Sequence, residues 1–483
     1  MTKKKKDEKV SISFLNNGES VTGSCTIIKF LNRTILFEFG GIQEGKTPLD
    51  NYKINRNQIS KVKAKEVDMV ITGHGMHYDH GGNIPVLIKQ NPNIRIITGI
   101  NTIGILQEMW LDSSRITQRD CEDLSKKFPD KTFIPLYDEA DVMKSVERIE
   151  EYDVGTIYEL DENISIRYTY SGHIFGAMQC ELFIKIKNYT HKILFTSDLG
   201  NTCIQHLKPF VQKFEPIVNS NIVIGETTYG SRENKQLTTK IINKDLEKIK
   251  SVIYQFCHEG KRRVLMPVFS LDKCPNVLWL IYQMFKDDED FDTKVVVDSP
   301  LTNRLLDRYS EVLSGDKKEK FDEMLSWKNL IRITDPMESK HAMETMMNVV
   351  ILSSGGMLQS GRSVKWCREL LPHSNDCLIL SGYCGENTLG WKIKNCSDQK
   401  TINIDGIPVK NKAQVVNIKS LSSHMQREQL LEYYSSINTN KVYLVHGDME
   451  GKIEFAQDLK EKLTNKSKTT KVCVVNKGTT FTL

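Results

Sequence analysis

Three histidines and an aspartate crowd into Val70-Ile-Thr-Gly-His-Gly-Met-His-Tyr-Asp-His-Gly-Gly82: His74, His77, Asp79 and His80. Imidazole and carboxylate suit zinc or a similar divalent ion, and a metal site needs several of them aimed at one point. A polar loop with chance histidines is the weaker alternative for this segment, and the rest of the chain decides between the two. Further polar groups stand where apolar runs stop: His173 in Ser171-Gly-His-Ile-Phe-Gly176, Asp198 in Ser197-Asp-Leu-Gly200, and Glu226 in Glu226-Thr-Thr-Tyr-Gly230. His424 follows Ser422-Ser423, and His446 lies in Val445-His-Gly-Asp448.

The elements around these groups are legible from periodicity. Val67-Asp-Met-Val-Ile71 predicts a buried strand ahead of the histidine loop, and Ile84-Pro-Val-Leu-Ile88 predicts a helix opening after it. Residues 9–40 predict strands and turns, with Asn16-Asn-Gly-Glu19 as a turn and residues 25–30 and 34–39 flanking Asn32 as a hairpin does. From 84 to 130 the pattern is α/β, with a helix over 84–90, a strand over 94–97 and a longer helix through Leu106 and Trp110. Residues 139–150 predict a charged helix, and strands return at 164–170, 180–186, 191–196 and 221–224. From about 231, helices and apolar runs alternate as in a second parallel α/β unit, closing near 349–356 and 377–383. The last strands fall at 441–445, 472–475 and 479–482.

Gly40-Gly-Ile-Gln-Glu-Gly-Lys-Thr47 fits the phosphate-loop pattern G-x-x-x-x-G-K-[ST]. Such a loop must open a helix whose amides face the phosphates. Residues 48–55 show no helical periodicity, so no nucleotide site is expected there.

A length of 483 residues exceeds one ordinary core and predicts two to three domains. The 39% hydrophobic and 26% charged content is that of a globular protein, and no apolar run approaches membrane length. Met1-Thr-Lys-Lys-Lys-Lys6 has no apolar stretch behind it, which argues against a secretory signal. A net charge of +5 means that a polyanion site must come from local clustering. The 11 cysteines lack any C-x-x-C pair, so reduced thiols in a cytoplasmic protein are expected, with a nuclear setting open for a eukaryotic source.

Together these residues resemble the β-CASP branch of the metallo-β-lactamase superfamily, a branch of nucleic-acid-processing nucleases. The likeness runs from Val21-Thr-Gly-Ser-Cys25 to Val445-His-Gly-Asp448. Ser353-Ser-Gly-Gly-Met357 with Ser360-Gly-Arg362, and Ser381-Gly-Tyr383 with Thr388-Leu-Gly390, are similar to its β-CASP landmarks. The style is that of the bacterial and archaeal single-chain ribonucleases and, more distantly, the pre-mRNA 3′-end endonuclease.

The resemblance implies an α/β protein: an αββα metallo-β-lactamase sandwich (residues 1–230 and 422–483) with a β-CASP α/β domain (231–421) inserted as a cap over the metal cleft. It implies two zinc ions per chain. His77 and His173, with His74 as the first histidine of the loop, bind one; Asp79, His80 and His446 bind the other; Asp198 bridges both. It further implies a catalytic role for Asp79, with His424 as general acid and Glu226 as its carboxylate partner. A histidine at 446, rather than an apolar residue, resembles the RNA-acting members. The implied function is hydrolysis of RNA phosphodiester bonds by a metal-bridged hydroxide. The alternative is a catalytically impaired paralogue acting as a scaffold or RNA-binding subunit. Ser354, Gly356 and Arg362 are candidate substrate contacts, and Lys261-Arg-Arg263 either meets phosphates or forms a solvated face. The expected partners are RNA and a homodimer or RNA-processing assembly, with no membrane. His191, His206, His258, His341 and His373 are left to surface or structural roles.

Three departures stand out. The family's loop is H-x-H-x-D-H. Counted back from Asp79-His80, its first position falls on Gly75; aligned from the preceding strand, it falls on His74 with one extra residue before His77. A bulge at Gly75 lets His74 reach the metal with altered geometry; otherwise one site is a ligand short. The family's aspartate before the first Gly-rich turn is Glu38 here, expected as a partner behind the ligands. Asp272-Lys-Cys-Pro-Asn276 replaces the family's Gly-Arg-x-Gln-Glu, implying an altered substrate-side or structural contact.

Overall fold

Period-2 alternation decides how the strands pack. Ile193 and Phe195 point into one core and Leu194 into another; Ile222 and Ile224 are split from Val223 in the same way, as are Tyr443 and Val445 from Val442 and Leu444. The computed structural model describes residues 9–16, 20–233, 237–382, 384–385, 388–395 and 400–483. Its chain forms two units: residues 1–202, 211–236 and 424–483 make the first, and residues 203–210 with 237–423 make the second.

The first unit has two seven-stranded sheets. One runs Thr480–Thr482, Ser11–Phe14, Thr26–Phe30, Arg33–Phe37, Met69–Ile71, Arg95–Gly99 and Ile149–Tyr152. The other runs Lys471–Val474, Lys441–Val445, Ile222–Glu226, Tyr189–Phe195, Met178–Ile186, Ile164–Tyr170 and Tyr158–Glu159. Their inner faces share one core, in which Phe37 stacks on Phe195 with ring centroids 3.9 Å apart. Each such side chain, fully buried, contributes about 1.5–3 kcal/mol. On the outer face of the second sheet, Leu430 and Tyr434 of helix Arg427–Ser436 and Phe455 and Leu459 of helix Met449–Asn465 cover the alternate residues. Helices Ile84–Gln90 and Ile103–Lys127 bury Leu87, Leu106 and Trp110, and the Trp110 indole donates to the Gly81 carbonyl at 3.0 Å, anchoring the histidine loop. This is the expected αββα sandwich.

The second unit holds a six-stranded sheet, ordered Leu330–Ile333, Lys294–Asp298, Val349–Ser353, Arg263–Pro267, Cys377–Leu380 and Gln414–Asn417, with every pairing parallel. Near-continuous apolar strands such as Val349–Ser353 are what burial on both faces requires. The sheet therefore continues past residue 383 to Gln414–Asn417, beyond where the sequence closed it; this short strand is half exposed and shows little apolar signal. Tyr383, most of the turn at 16–19, and the basic start fall outside the described residues.

Two further expectations are corrected. The helix predicted over 139–150 spans Glu139–Val146 only, and Ile149–Tyr152 is a strand paired in parallel with residues 96–99. The Arg95–Glu150 ion pair lies across that pairing, so tertiary partners override local charge patterning. A helix does follow the phosphate-loop match: Pro48–Ser60, capped by Thr47 in a capping box with Asp50. Its apolar period is weak because the face it buries is polar; Asn55 donates to the Ile42 carbonyl at 2.8 Å and Gln58 to that of Gly23 at 3.0 Å. Even so, the loop cradles no phosphate. The amides of Gly40, Gly41, Ile42, Gly45 and Thr47 are already bound to Ser24 O, Tyr78 O, Asn55 Oδ1, Asn51 Oδ1 and Asp50 Oδ2. Gly40 instead lets two backbones touch, since a Cβ there would lie 1.6 Å from the Asp79 carbonyl oxygen.

Candidate metal centre

Strands Met69–Ile71, Ile164–Tyr170, Tyr189–Phe195, Ile222–Glu226 and Lys441–Val445 each deliver a polar residue at or just past their C-terminal end. These groups converge within the first unit. One ligand atom each from His74, His77, His173 and Asp198 lies within 4.8 Å of the others, as do those of Asp79, His80 and His446, and those of Asp198, Glu226 and His424. Asp198 ties the groups together. Its carboxylate oxygens stand 3.3 Å from His80 Nε2, 3.3 Å from His446 Nδ1, 3.7 Å from His173 Nε2 and 4.0 Å from both His74 Nε2 and His424 Nδ1. His446 Nε2 lies 3.7 Å and His80 Nε2 3.8 Å from Asp79 Oδ2.

The longer histidine loop is absorbed by glycine. A Cβ on Gly81 would fall 1.9 Å from the Gly75 carbonyl oxygen, so the extra residue is admitted by a backbone contact that no side chain permits. Met76 is buried beneath the loop and His74 is turned into the cluster, its ring 4.4 Å from that of His77 and 5.0 Å from that of His173. His74 is completely buried, with no hydrogen-bond partner at either ring nitrogen. Leaving buried polar atoms unpaired costs about 1–3 kcal/mol each, a cost that a coordinated cation removes. Burial, and then the neighbouring His77, His80 and His173, push His74 well below its ordinary range, so its lone pairs stay available. The donor set of imidazoles and carboxylates fits a divalent metal. His74→Ala is expected to weaken metal binding measurably in a competition titration; unchanged affinity would show that His74 is no ligand.

Behind the candidate ligands, Glu38 holds three groups. Its Oε2 is 2.7 Å from His80 Nδ1 and accepts from Ser24 Oγ at 2.6 Å, while Oε1 accepts from Ser197 Oγ at 2.8 Å. Burial disfavours a charged His80, yet Glu38, Asp198 and Asp79 together raise its proton affinity well above normal. For Asp198, burial opposes ionisation, but His446 and His80 hold the carboxyl well below its ordinary range. Glu38, Ser197 and His446 all have positive φ (62°, 46° and 51°), a strain of about 1–3 kcal/mol each that the surrounding contacts impose. Glu38→Gln should weaken metal affinity about 10- to 100-fold, as loss of an orienting carboxylate does; a metal titration checks this.

Glu226 accepts from the amides of Leu199 at 3.1 Å and Thr228 at 2.7 Å, and its Oε1 lies 3.9 Å from His424 Nδ1. The site's openings are His77, Asp79 and His424, all partly exposed, whereas His74, His80, His173, Asp198, Glu226 and His446 are buried. Sequence reasoning missed Thr228, whose hydroxyl is 3.1 Å from His446 Nδ1, and Ser24 and Ser197 on Glu38. The available signal was their place in the chain: Thr228 two residues past Glu226, Ser197 next to Asp198, and Ser24 inside the motif at 21–25.

The candidate substrate contacts lie in the second unit. The hydroxyls of Ser354 and Ser299 are 2.8 Å apart, and Gly356 packs against the Phe269 ring. Arg362 is already matched by Asp298 and by the Thr334 carbonyl at 2.6 Å. In the basic cluster, Arg263 is buried on Asp376 and Lys261 pairs with Asp292, so neither is a free phosphate ligand.

Comparison with known proteins gives the same picture. Residues 276–393 match the Beta-Casp domain, and residues 408–470 match the Zn-dependent metallo-hydrolase RNA specificity domain. Endoribonuclease ysh1 of Schizosaccharomyces pombe is 24% identical over 95% of this chain and 56% of its own length. An RNase J-like protein of Methanocaldococcus jannaschii is 26% identical over 86% of this chain and 90% of its own. The chain spans about half the length of several curated relatives, 56%, 51% and 48% in three endoribonucleases. A crystal structure of a protein of unknown function from Enterococcus faecalis V583 shares the fold, with a TM-score of 0.56 at 12% identity, over 98% of this chain and 100% of that one. The strand ends that carry the candidate ligands, the two matched domains and these relatives agree in one likeness: the chain is similar to the β-CASP branch of the metallo-β-lactamase superfamily.

Proposed function

We propose that this protein is a zinc-dependent ribonuclease that hydrolyses RNA phosphodiester bonds, with two ions per chain. The observation that carries the reading is His424, an ionisable group standing 4.0 Å from the shared carboxylate of the metal cluster and 3.9 Å from Glu226. A structural metal site has no use for an adjacent proton donor; a hydrolytic one does. When bound, divalent ions lower the pKa of a water and neutralise charge on the phosphate. The protein's own residues do the rest. His74, His77 and His173 on one side and Asp79, His80 and His446 on the other would hold the ions, with Asp198 within reach of both groups. Glu38 fixes the His80 ring through Nδ1, leaving Nε2 to face the cluster. Glu226, pinned by two backbone amides, and Asp198 both face His424 Nδ1, which orients the ring to act on the departing 3′-oxygen. The partly exposed His77, Asp79 and His424 mark the side from which a phosphodiester enters.

RNA as substrate is supported by the histidine at 446 and by the relatives, several of which are named endoribonucleases. Internal cleavage is the form those names favour. The test is a circular RNA, which offers no end to an exonuclease. Linearisation that stops on chelation and resumes with zinc is the expected result; cleavage of linear RNA alone would restrict the activity to chain ends, and intact RNA in both cases would refute the proposal.

A further inference from the structure

The stretch that departs from the family pattern, Asp272-Lys-Cys-Pro-Asn276, builds a buried charged knot inside the second unit. Asp272 takes a positive φ of 61° at the start of helix Lys273–Phe285, a conformation that costs a non-glycine residue energy. Its carboxylate, 1% exposed, faces the ammonium of Lys208, 5% exposed, at 3.1 Å. Lys208 Nζ also donates to Ser423 Oγ at 3.2 Å, and the Ser423 hydroxyl lies 3.4 Å from Asp272 Oδ2. The Lys273 ammonium donates to the Leu421 carbonyl. Burial, and then the charge of Lys208, lower Lys273 to about 7. Buried charges are no economical way to hold a fold, since well-packed apolar residues often do as well. Here they converge on two positions of one short segment, residues 421 and 423.

The next residue is His424, where the chain re-enters the first unit. On its downstream side the backbone is fixed by the Met425 amide donating to the Leu199 carbonyl at 2.7 Å. We infer that Lys208, Asp272 and Lys273 are positioning residues for His424, fastening the backbone immediately upstream of it so that the imidazole is presented at one fixed place. The inference rests on the reading of His424 as the proton donor. It explains why this chain tolerates Asp272-Lys273 in place of the family's Gly-Arg: the pair serves the segment ahead of His424.

The test uses mild variants of the full chain, Ser423→Ala and Lys273→Met, because Asp272 or Lys208 replacements leave a buried charge unpaired. Each is assayed on RNA and on a p-nitrophenyl phosphodiester, whose leaving group departs without a proton. Misplacing a catalytic group by about 1 Å costs on the order of 100-fold, so kcat on RNA should fall about 10- to 100-fold. KM, metal content and turnover of the p-nitrophenyl ester should be unchanged, and Lys273→Arg should recover most of the RNA activity. Equal loss on both substrates would assign the knot to general stability, and no loss on either would also overturn the inference. If His424→Ala itself spares RNA cleavage, the proton-donor reading fails; if it does not and both knot variants are silent, the positioning claim alone fails.

Discussion

Asp198→Ala is expected to lower RNA cleavage at least about 10³-fold, the scale seen when a preorganised electrostatic group is removed, and to cut metal content well below the about two ions of a dinuclear site. Its carboxylate is the one group in contact range of His74, His173, His80, His446 and His424 among the described residues. It is also held ionised, since His446 and His80 outweigh the burial that opposes its charge. Removing it leaves several buried imidazoles facing one another without a shared counter-charge, so neither group of ligands keeps its affinity. Asp198→Asn keeps the shape, loses the charge and should behave alike. Elemental analysis beside a cleavage assay checks the prediction, with circular dichroism to show that the fold persists; full metal content in either variant would move the shared role elsewhere.

His424→Ala makes the second large prediction and a different one. Loss of a general acid costs about 10²- to 10⁴-fold in kcat, while the two groups of candidate ligands, His74, His77, His173 and Asp198 on one side and Asp79, His80 and His446 on the other, remain complete. RNA cleavage should therefore collapse with metal content unchanged, and a p-nitrophenyl phosphodiester should escape most of the loss. If metal is lost together with activity, His424 is a ligand, and the third grouping of Asp198, Glu226 and His424 is the one to pursue.

The contrast between these residues shows what a sequence carries. His173, Asp198, Glu226 and His446 were legible because each stands at or just past the end of an apolar run, and strand periodicity is a local property. Glu38 was legible as a supporting carboxylate only through the resemblance, because it stands where the family has an aspartate. His74 was ambiguous because its position depends on the Gly75 carbonyl meeting Gly81, a close contact that spacing alone does not reveal. Helix Pro48–Ser60 was missed since it buries Asn55 and Gln58, and apolar periodicity is blind to a polar interface. Arg362 and Arg263 read as possible phosphate ligands because charge is visible in sequence, whereas their partners Asp298 and Asp376 lie 64 and 113 residues away. The knot at Asp272 was seen only as a departure; its tie to Lys208 and Ser423 is purely tertiary.

The proposed ribonuclease activity depends on metal held by this cluster. Titrating zinc into chelator-stripped protein while following cleavage of labelled RNA tests it most directly. Cleavage should be absent at the start and rise to a plateau at about two equivalents. A stripped protein that cuts RNA at full rate, or a protein that stays inactive and binds no zinc, would contradict it.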